Sequence, residues 1–170
     1  FQTRVKNFIS ALELNDDVAL NLNFGEIESR GFEVIGDAPL GDNFSVNVGY
    51  TYLDTEVTEN PVDEFILDNR LPSAPKHSFT WGISMDDFYG FSGFLRGRAL
   101  GRQFQFINNA DELDKHVVVD LGLSYRVSDH VEVFFKGENL FDENYAAANI
   151  RGTIQRGTPF RAIGGIRIGL

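Results

Sequence analysis

The stretch HVVVDLGLSYRVSDHVEVFFKGENLFDENY, residues 116–145, decides the fold. In its first half Val117, Val119, Leu121, Leu123 and Tyr125 alternate with Asp120, Gly122, Ser124 and Arg126. A period of two marks a strand with one apolar face and one polar face. Ser128 and Asp129 read as a tight turn. The alternation then resumes, with Val131, Val133 and Phe135 set against Glu132, Lys136 and Glu138. The end, ENLFDENY at 138–145, mixes acids and amides with Leu140, Phe141 and Tyr145. The acids and amides interrupt the alternation there, yet two aromatic side chains remain.

The same period runs along the rest of the chain, and helical period is nearly absent. SVNVGYTYL sets Val46, Val48, Tyr50 and Tyr52 against Ser45, Asn47, Gly49 and Thr51. HSFTWGISM sets Phe79, Trp81, Ile83 and Met85 against Ser78, Thr80, Gly82 and Ser84. FSGFLRGRAL sets Phe91, Leu95 and Ala99 against Ser92, Arg96 and Arg98, and the final PFRAIGGIRIGL sets Phe160, Ala162, Ile166, Ile168 and Leu170 against Arg161 and Arg167. In the long early strand Glu33 falls opposite Phe32 and Val34. Eight strands are expected, at about 1–9, 20–38, 43–56, 75–86, 90–106, 115–127, 130–145 and 157–170. Their connections alternate strictly between tight turns, at 39–42, 87–89 and 128–129, and longer polar loops, at 10–19, 57–74, 107–114 and 146–156. In an antiparallel meander successive connections lie at opposite ends, so one end is trimmed and the other carries loops. Outer-membrane barrels have this asymmetry. The strands also exceed the ~5–6 residues usual in globular sheets and approach the ~9–11 of a tilted membrane strand.

Composition narrows the function classes. The formal charge of 170 residues is -10, and no basic cluster offers a nucleic-acid surface. Three histidines stand apart and cysteine is absent, so zinc spacing, disulfides and thiol chemistry are all excluded. No Ser-His-Asp constellation or phosphate loop is visible, which argues against an enzyme, and no cofactor or metal is implied. No apolar run reaches the ~18 residues of a transmembrane helix, but a barrel hides its apolar residues at alternate positions. Tyr52, Trp81, Phe91, Tyr125 and Tyr145 sit toward strand ends, as in the aromatic girdles at membrane interfaces. A soluble β-sandwich with core aromatics is the competing reading of the same alternation.

Five pieces in order resemble the C-terminal end of the barrel of TonB-dependent outer-membrane receptors: ESRGFEV with Gly31 and Glu33; VNVGYTYLDTEV; LPSAPKHSFTWGI with Pro75, Lys76, His77 and Ser78; the stretch ending in ENLFDENY; and RGTPFRAIGGIRIGL. The resemblance covers almost the whole chain, and it makes ENLFDENY the outer half of the penultimate strand as it leaves the apolar belt, with Leu140, Phe141 and Tyr145 at the interface and residues 142–144 in water. It implies an all-β, antiparallel up-and-down transmembrane β-barrel, of which residues 1–170 supply about eight strands, the C-terminal third of a 22-stranded barrel with a plugged lumen. The N-terminal plug is absent from these residues. Leu170 stands where the family usually has an aromatic residue. The implied function is active uptake of a scarce, bulky nutrient, such as an iron-siderophore or cobalamin, across the outer membrane of a Gram-negative bacterium. The implied partners are the protein's own plug and remaining strands, the TonB complex acting through the plug, outer-membrane lipid and lipopolysaccharide, and a small-molecule ligand.

Inward charges at Glu33, Arg96, Arg98, Glu132, Lys136, Glu138, Arg161 and Arg167 are candidates to face the plug, or to line a water-filled lumen. Loop residues Asp63, Glu64, Asp68, Asn69, Arg70, Asn108, Asn109 and Asp111 are candidates for ligand contact by position. Their oxygen-rich side chains could hold calcium, yet the spacing matches no EF-hand loop, and a solvated acidic loop is the simpler account. Two other functions fit the alternation. One is an autonomous eight-stranded outer-membrane barrel, adhesin or structural, in which TRVKNFI pairs with the last strand; inward Gly49, Gly82 and Gly122 would leave so small a lumen under-filled. The other is a soluble β-barrel binding domain. The natural polypeptide in the outer-membrane fraction is expected to have an intact mass several-fold above the 19.1 kDa of these residues; a mass equal to it would favour the small autonomous barrel.

Overall fold

A computed structural model of the chain describes residues 1–15, 18–23, 25–60, 64–150 and 153–169, with side chains outside 9–23 and 150. Eight strands form one sheet: β1 (Gln2–Lys6), β2 (Glu26–Leu40), β3 (Phe44–Glu59), β4 (His77–Phe88), β5 (Phe91–Leu100), β6 (His116–Ser128), β7 (Val131–Glu138) and β8 (Arg161–Ile168). Each pairs antiparallel with its neighbours in the chain, from β1 through to β8. Among the described residues β1 pairs only with β2 and β8 only with β7, so the sheet is not closed. The autonomous eight-stranded barrel needed the first strand beside the last, and that pairing is not formed.

Register explains the alternation. Ala38, Val46, Ile83, Leu95, Leu121, Gly137 and Ala162 are successive cross-strand partners from β2 to β8. That row crosses seven strands without one polar side chain. The row beside it, on the opposite face, runs Asp37, Asn47, Gly82, Arg96 and Asp120, and continues with the Glu138 and Arg161 pair. One face therefore suits hydrocarbon and the other water, the division of a membrane-spanning strand. Val34, Val48, Ile83 and Phe135 of the apolar face are all exposed, as side chains that meet lipid must be. Among the described residues no helix is long and apolar enough to cross a membrane.

Aromatic rings band both ends of the apolar face. At the turn end Phe44 meets Phe88 at 5.2 Å between centroids, and Phe91 meets Tyr125 at 4.5 Å. At the loop end Phe32 lies 5.7 Å from both Tyr50 and Tyr52. Tyr50 shares a 2.8 Å hydrogen bond with His77 Nδ1. Two expected girdle members sit elsewhere. Trp81 lies in the body of the sheet, its indole in the space a Cβ on Gly97 would take. Tyr145 stacks on His116 at 4.1 Å, and His116 shares the polar face with Leu100 and Ser78 through its register. The inward glycines are also not voids: Phe94 covers Gly122, Thr80 Oγ1 stands 2.8 Å from where a Cβ on Gly49 would be, and the Asn47 amide 2.9 Å from that of Gly82.

Four strand ends differ most from the sequence reading. Ile9–Asn15 and Val18–Asn23 pair with each other as an antiparallel pair of their own, so β1 stops at Lys6 and β2 starts at Glu26. β5 stops at Leu100, where the Gly101 amide donates to the His77 carbonyl at 2.8 Å. β7 stops at Glu138 because Asn139 has φ +49, the left-handed region in which Asn is among the least strained residues. ENLFDENY is thus a turn rather than the outer half of a strand. Leu140 packs 2.6 Å from a Cβ position on Gly137, and Phe141 points into solvent at 76% exposure. Replacing Gly97 with Leu is expected to displace the Trp81 ring at a cost of about 1–3 kcal/mol. The readout is a lower denaturant midpoint of the assembled barrel in detergent, and an unchanged midpoint would show that the ring is not seated there.

Candidate functional site: the lumen wall and the loop rim

All eight inward candidates lie on the polar face, and most are tied across strands. Arg96 Nε donates to Asp120 Oδ2 at 3.3 Å. Arg167 pairs with Glu132. Lys136 pairs with Glu138 at 2.6 Å, and Arg161 Nε donates to the same carboxylate at 2.8 Å. Two guanidiniums also lie over rings of the same wall, Arg96 over Phe94 at 4.9 Å and Arg167 over Phe134 at 5.1 Å. The wall of β5 to β8 is therefore a lattice of charge pairs and stacked rings. Arg98 differs: among the described residues its side chain makes no hydrogen bond or ion pair, and its register partners are Thr80 and Val118. The wall of β2 to β4 is smoother. Glu33, Asp37, Asn47, Gly49, Thr51 and Thr80 line a groove of about 370 Å³ there.

The loops fold inward over the mouth. Ile27 and Val57, on the inner face of the loop-end extensions of β2 and β3, pack with Ile66 and Ile107 in a small buried core flanked by Phe8, Leu67 and Leu71. Thr55, 3% exposed, accepts the Leu71 amide at 3.1 Å. The Asp68 amide donates to the Val57 carbonyl at 3.0 Å, and the Val57 amide to the Asn69 carbonyl at 2.9 Å. Asn109 clasps Arg70 twice: its Oδ1 accepts the Arg70 amide at 2.9 Å and its Nδ2 donates to the Arg70 carbonyl at 2.8 Å. The Arg70 guanidinium in turn donates to the Ala74 carbonyl at 2.9 Å. The Ser73 amide donates to the Phe104 carbonyl at 2.8 Å, and the Asn149 amide to Gln105 Oε1 at 3.0 Å. Loops 60–76, 101–115 and 139–160 are thereby one connected rim.

This geometry divides the ligand-contact candidates. Glu64, Asp68, Asn108 and Asp111 are exposed. Asn69, Arg70 and Asn109 are half-buried and hold the rim together. Asp63 lies outside the described residues. Among the described residues no group of three or more acidic or imidazole side chains could hold a metal ion.

Asn139 escaped the sequence reading. It is 1% exposed. Its Nδ2 donates to the carbonyls of Glu143 at 3.0 Å and Thr158 at 2.9 Å, and its Oδ1 accepts the Glu143 amide at 2.9 Å. The one signal available was an amide placed where the alternation fails. Outside the lumen, a collar of charge stands above the loop-end aromatic band. Arg4 meets Glu26 at 3.1 Å, Arg30 meets Glu28 at 3.1 Å, and Lys76 meets Asp54 at 3.0 Å. The Asp54 carboxylate holds the Lys76 ammonium above the usual lysine range, with help from Tyr52.

Residues 1–140 match the family model described as TonB dependent receptor-like, beta-barrel. The chain belongs to that family. It is 28% identical over 137 residues to the ferrioxamine B receptor of Salmonella typhimurium, covering 74% of this chain and 19% of that protein. It is 29% identical over 128 residues to the vitamin B12 transporter BtuB of Photobacterium profundum, covering 74% of this chain and 19% of that protein. The crystal structure of the siderophore receptor PiuA from Acinetobacter baumannii superposes with a TM-score of 0.81 at 19% identity, over 98% of this chain and 25% of that one. The chain thus spans about a fifth of the length of these curated relatives. It is an outer-membrane β-barrel segment, with its apolar face toward lipid and its loops, by the family's asymmetry, toward the exterior.

Replacing Asn109 with Ala is expected to leave both Arg70 main-chain groups unpaired, at a cost of about 1–3 kcal/mol. In the full-length receptor this appears as faster protease cleavage in loop 60–76 with unchanged barrel heat stability. Unchanged cleavage would mean the clasp does not hold the loop.

Proposed function

We infer that the chain is the C-terminal part of the barrel of a receptor that takes up a scarce, bulky nutrient, an iron-siderophore or cobalamin, across the outer membrane with TonB-derived energy. The observation that carries this reading is the open eight-stranded sheet, apolar outside and densely charged inside, matched to receptor barrels over nearly its whole length. An open sheet needs further strands to satisfy its edge amides in the membrane, and a wide charged lumen needs a filling. The remaining strands and a plug supply both.

Within this reading Arg96, Arg98, Glu132, Lys136, Glu138, Arg161, Arg167 and Glu33 face the plug. Polar contacts to it, direct or through water, can be remade at little cost as it shifts. Glu64, Asp68, Asn108 and Asp111 reach toward the ligand, and Arg70, Asn69 and Asn109 set the shape of the rim behind them. The charged collar outside meets the headgroups of outer-membrane lipid and lipopolysaccharide. The barrel performs no covalent chemistry, so no catalytic residue or cofactor is assigned.

The test is uptake by cells that express the full-length receptor, across a panel of radiolabelled ferric siderophores and cobalamin, with and without a functional TonB. Accumulation of one panel member, lost without TonB, is the expected result. Binding without TonB-dependent accumulation of any would overturn the transport reading.

A further inference from the structure

The Arg96–Asp120 pair is more than a charged ornament of the lumen, because the other oxygen of Asp120 is engaged elsewhere. Asp120 Oδ2 accepts from Arg96 Nε at 3.3 Å, and Asp120 Oδ1 accepts the main-chain amide of Asn139 at 3.0 Å. Asn139 is the buried hub of loop 139–160. Its carboxamide binds Glu143 through both carbonyl and amide, and reaches the Thr158 carbonyl at the far end of the same loop. The neighbouring Leu140 amide donates to the Val119 carbonyl at 2.8 Å, and Asp142 Oδ1 accepts the Phe160 amide at 2.8 Å. One carboxylate thus joins an arginine open to the lumen, its side chain 57% exposed, to a residue with almost no exposure at the root of an exterior loop.

We propose that Asp120 is a positioning residue that lets the lumen govern loop 139–160, through the path Arg96, Asp120, Asn139. The carboxylate has two oxygens and two fixed partners. While Arg96 holds Oδ2, the group is oriented so that Oδ1 meets the Asn139 amide. A charged group entering the lumen that draws Arg96 away frees the carboxylate to turn toward water, and the root of the loop loses its acceptor. The Asn139 amide is then a part-buried donor without a partner, an arrangement disfavoured enough to shift the loop. The element with two arrangements is the Asp120–Asn139 bond, made or broken, and such an element is what physical coupling between two sites requires. Loop 60–76 meets this path only at second hand, through the Asn149–Gln105 bond to loop 101–115, and it has anchors of its own in Thr55, Val57 and Asn109.

The test uses the full-length receptor, free of other cysteines, in outer-membrane vesicles. A spin label at Phe141→Cys reports loop 139–160, and one at Phe65→Cys, 94% exposed in the native chain, reports loop 60–76. Asp120→Ala is expected to mobilise the Phe141 label severalfold and leave the Phe65 label unchanged. Asp120→Asn is expected to preserve the native line shape, because its amide oxygen still accepts the Asn139 amide. Arg96→Gln is expected to mobilise the Phe141 label in the native background and to do nothing in the Asp120→Asn background, where no charge remains to be released. An equal effect of Arg96→Gln in both backgrounds, or none in either, overturns the proposal, and so does an unmoved label in Asp120→Ala. The labels read wall and loop directly, so this outcome stands apart from whether any nutrient is transported.

Discussion

In hydrocarbon an unpaired amide has no water to turn to, and this constraint governs the chain. Every strand that crosses must hand its main-chain groups to a neighbour. The sheet does so in unbroken sequence from β1 to β8. Once the backbone is committed to a ladder, side chains can only alternate. Lipid then claims one set of positions and the lumen the other. The row from Ala38 to Ala162 and its charged companion from Asp37 to Arg161 are two outcomes of one rule. Glycine fits the same frame: Gly97 and Gly122 leave room for Trp81 and Phe94 to lie flat on the sheet instead of projecting from it.

The two sides of the lumen wall obey different local physics. From β5 to β8 charges are matched across strands, Arg96 with Asp120, Glu132 with Arg167 and Glu138 with Arg161, and Lys136 joins Glu138 along β7. Exposed pairs of this kind contribute little stability each. Their value is that the wall carries many charges with few left uncompensated. Around the groove from β2 to β4 hydroxyls, amides and glycines replace the pairs, with Glu33 and Asp37 at its edge. Arg98 stands between the two regions.

Strands β3, β4 and β6 were legible because alternation is a local property that can be counted along the chain. The meander and its trimmed end followed from connection lengths. Strand ends were less legible, since alternation does not say where it must stop. Asn139 looked like one more outward step of β7, and only its left-handed backbone and buried carboxamide show the turn. The misplaced girdle members have a similar origin. Trp81 is on the apolar face as expected, but its height in the membrane depends on register with Gly97. The Arg70–Asn109 clasp joins residues far apart in two loops, and no periodicity announces such a contact. Loop residues grouped by composition thus separated into exposed ones and structural ones only in three dimensions.

The rim has a consequence for how this surface can change over generations. Many of its ties run through the main chain: Asp68 to Val57, Ser73 to Phe104, Gln105 to Asp111. Main-chain ties are indifferent to most side-chain replacements. Glu64, Phe65 and Asp111, which present themselves outward, can therefore be replaced while the underlying shape persists. Such a rim can change the chemistry it presents by point substitution alone, and keep the opening beneath it intact.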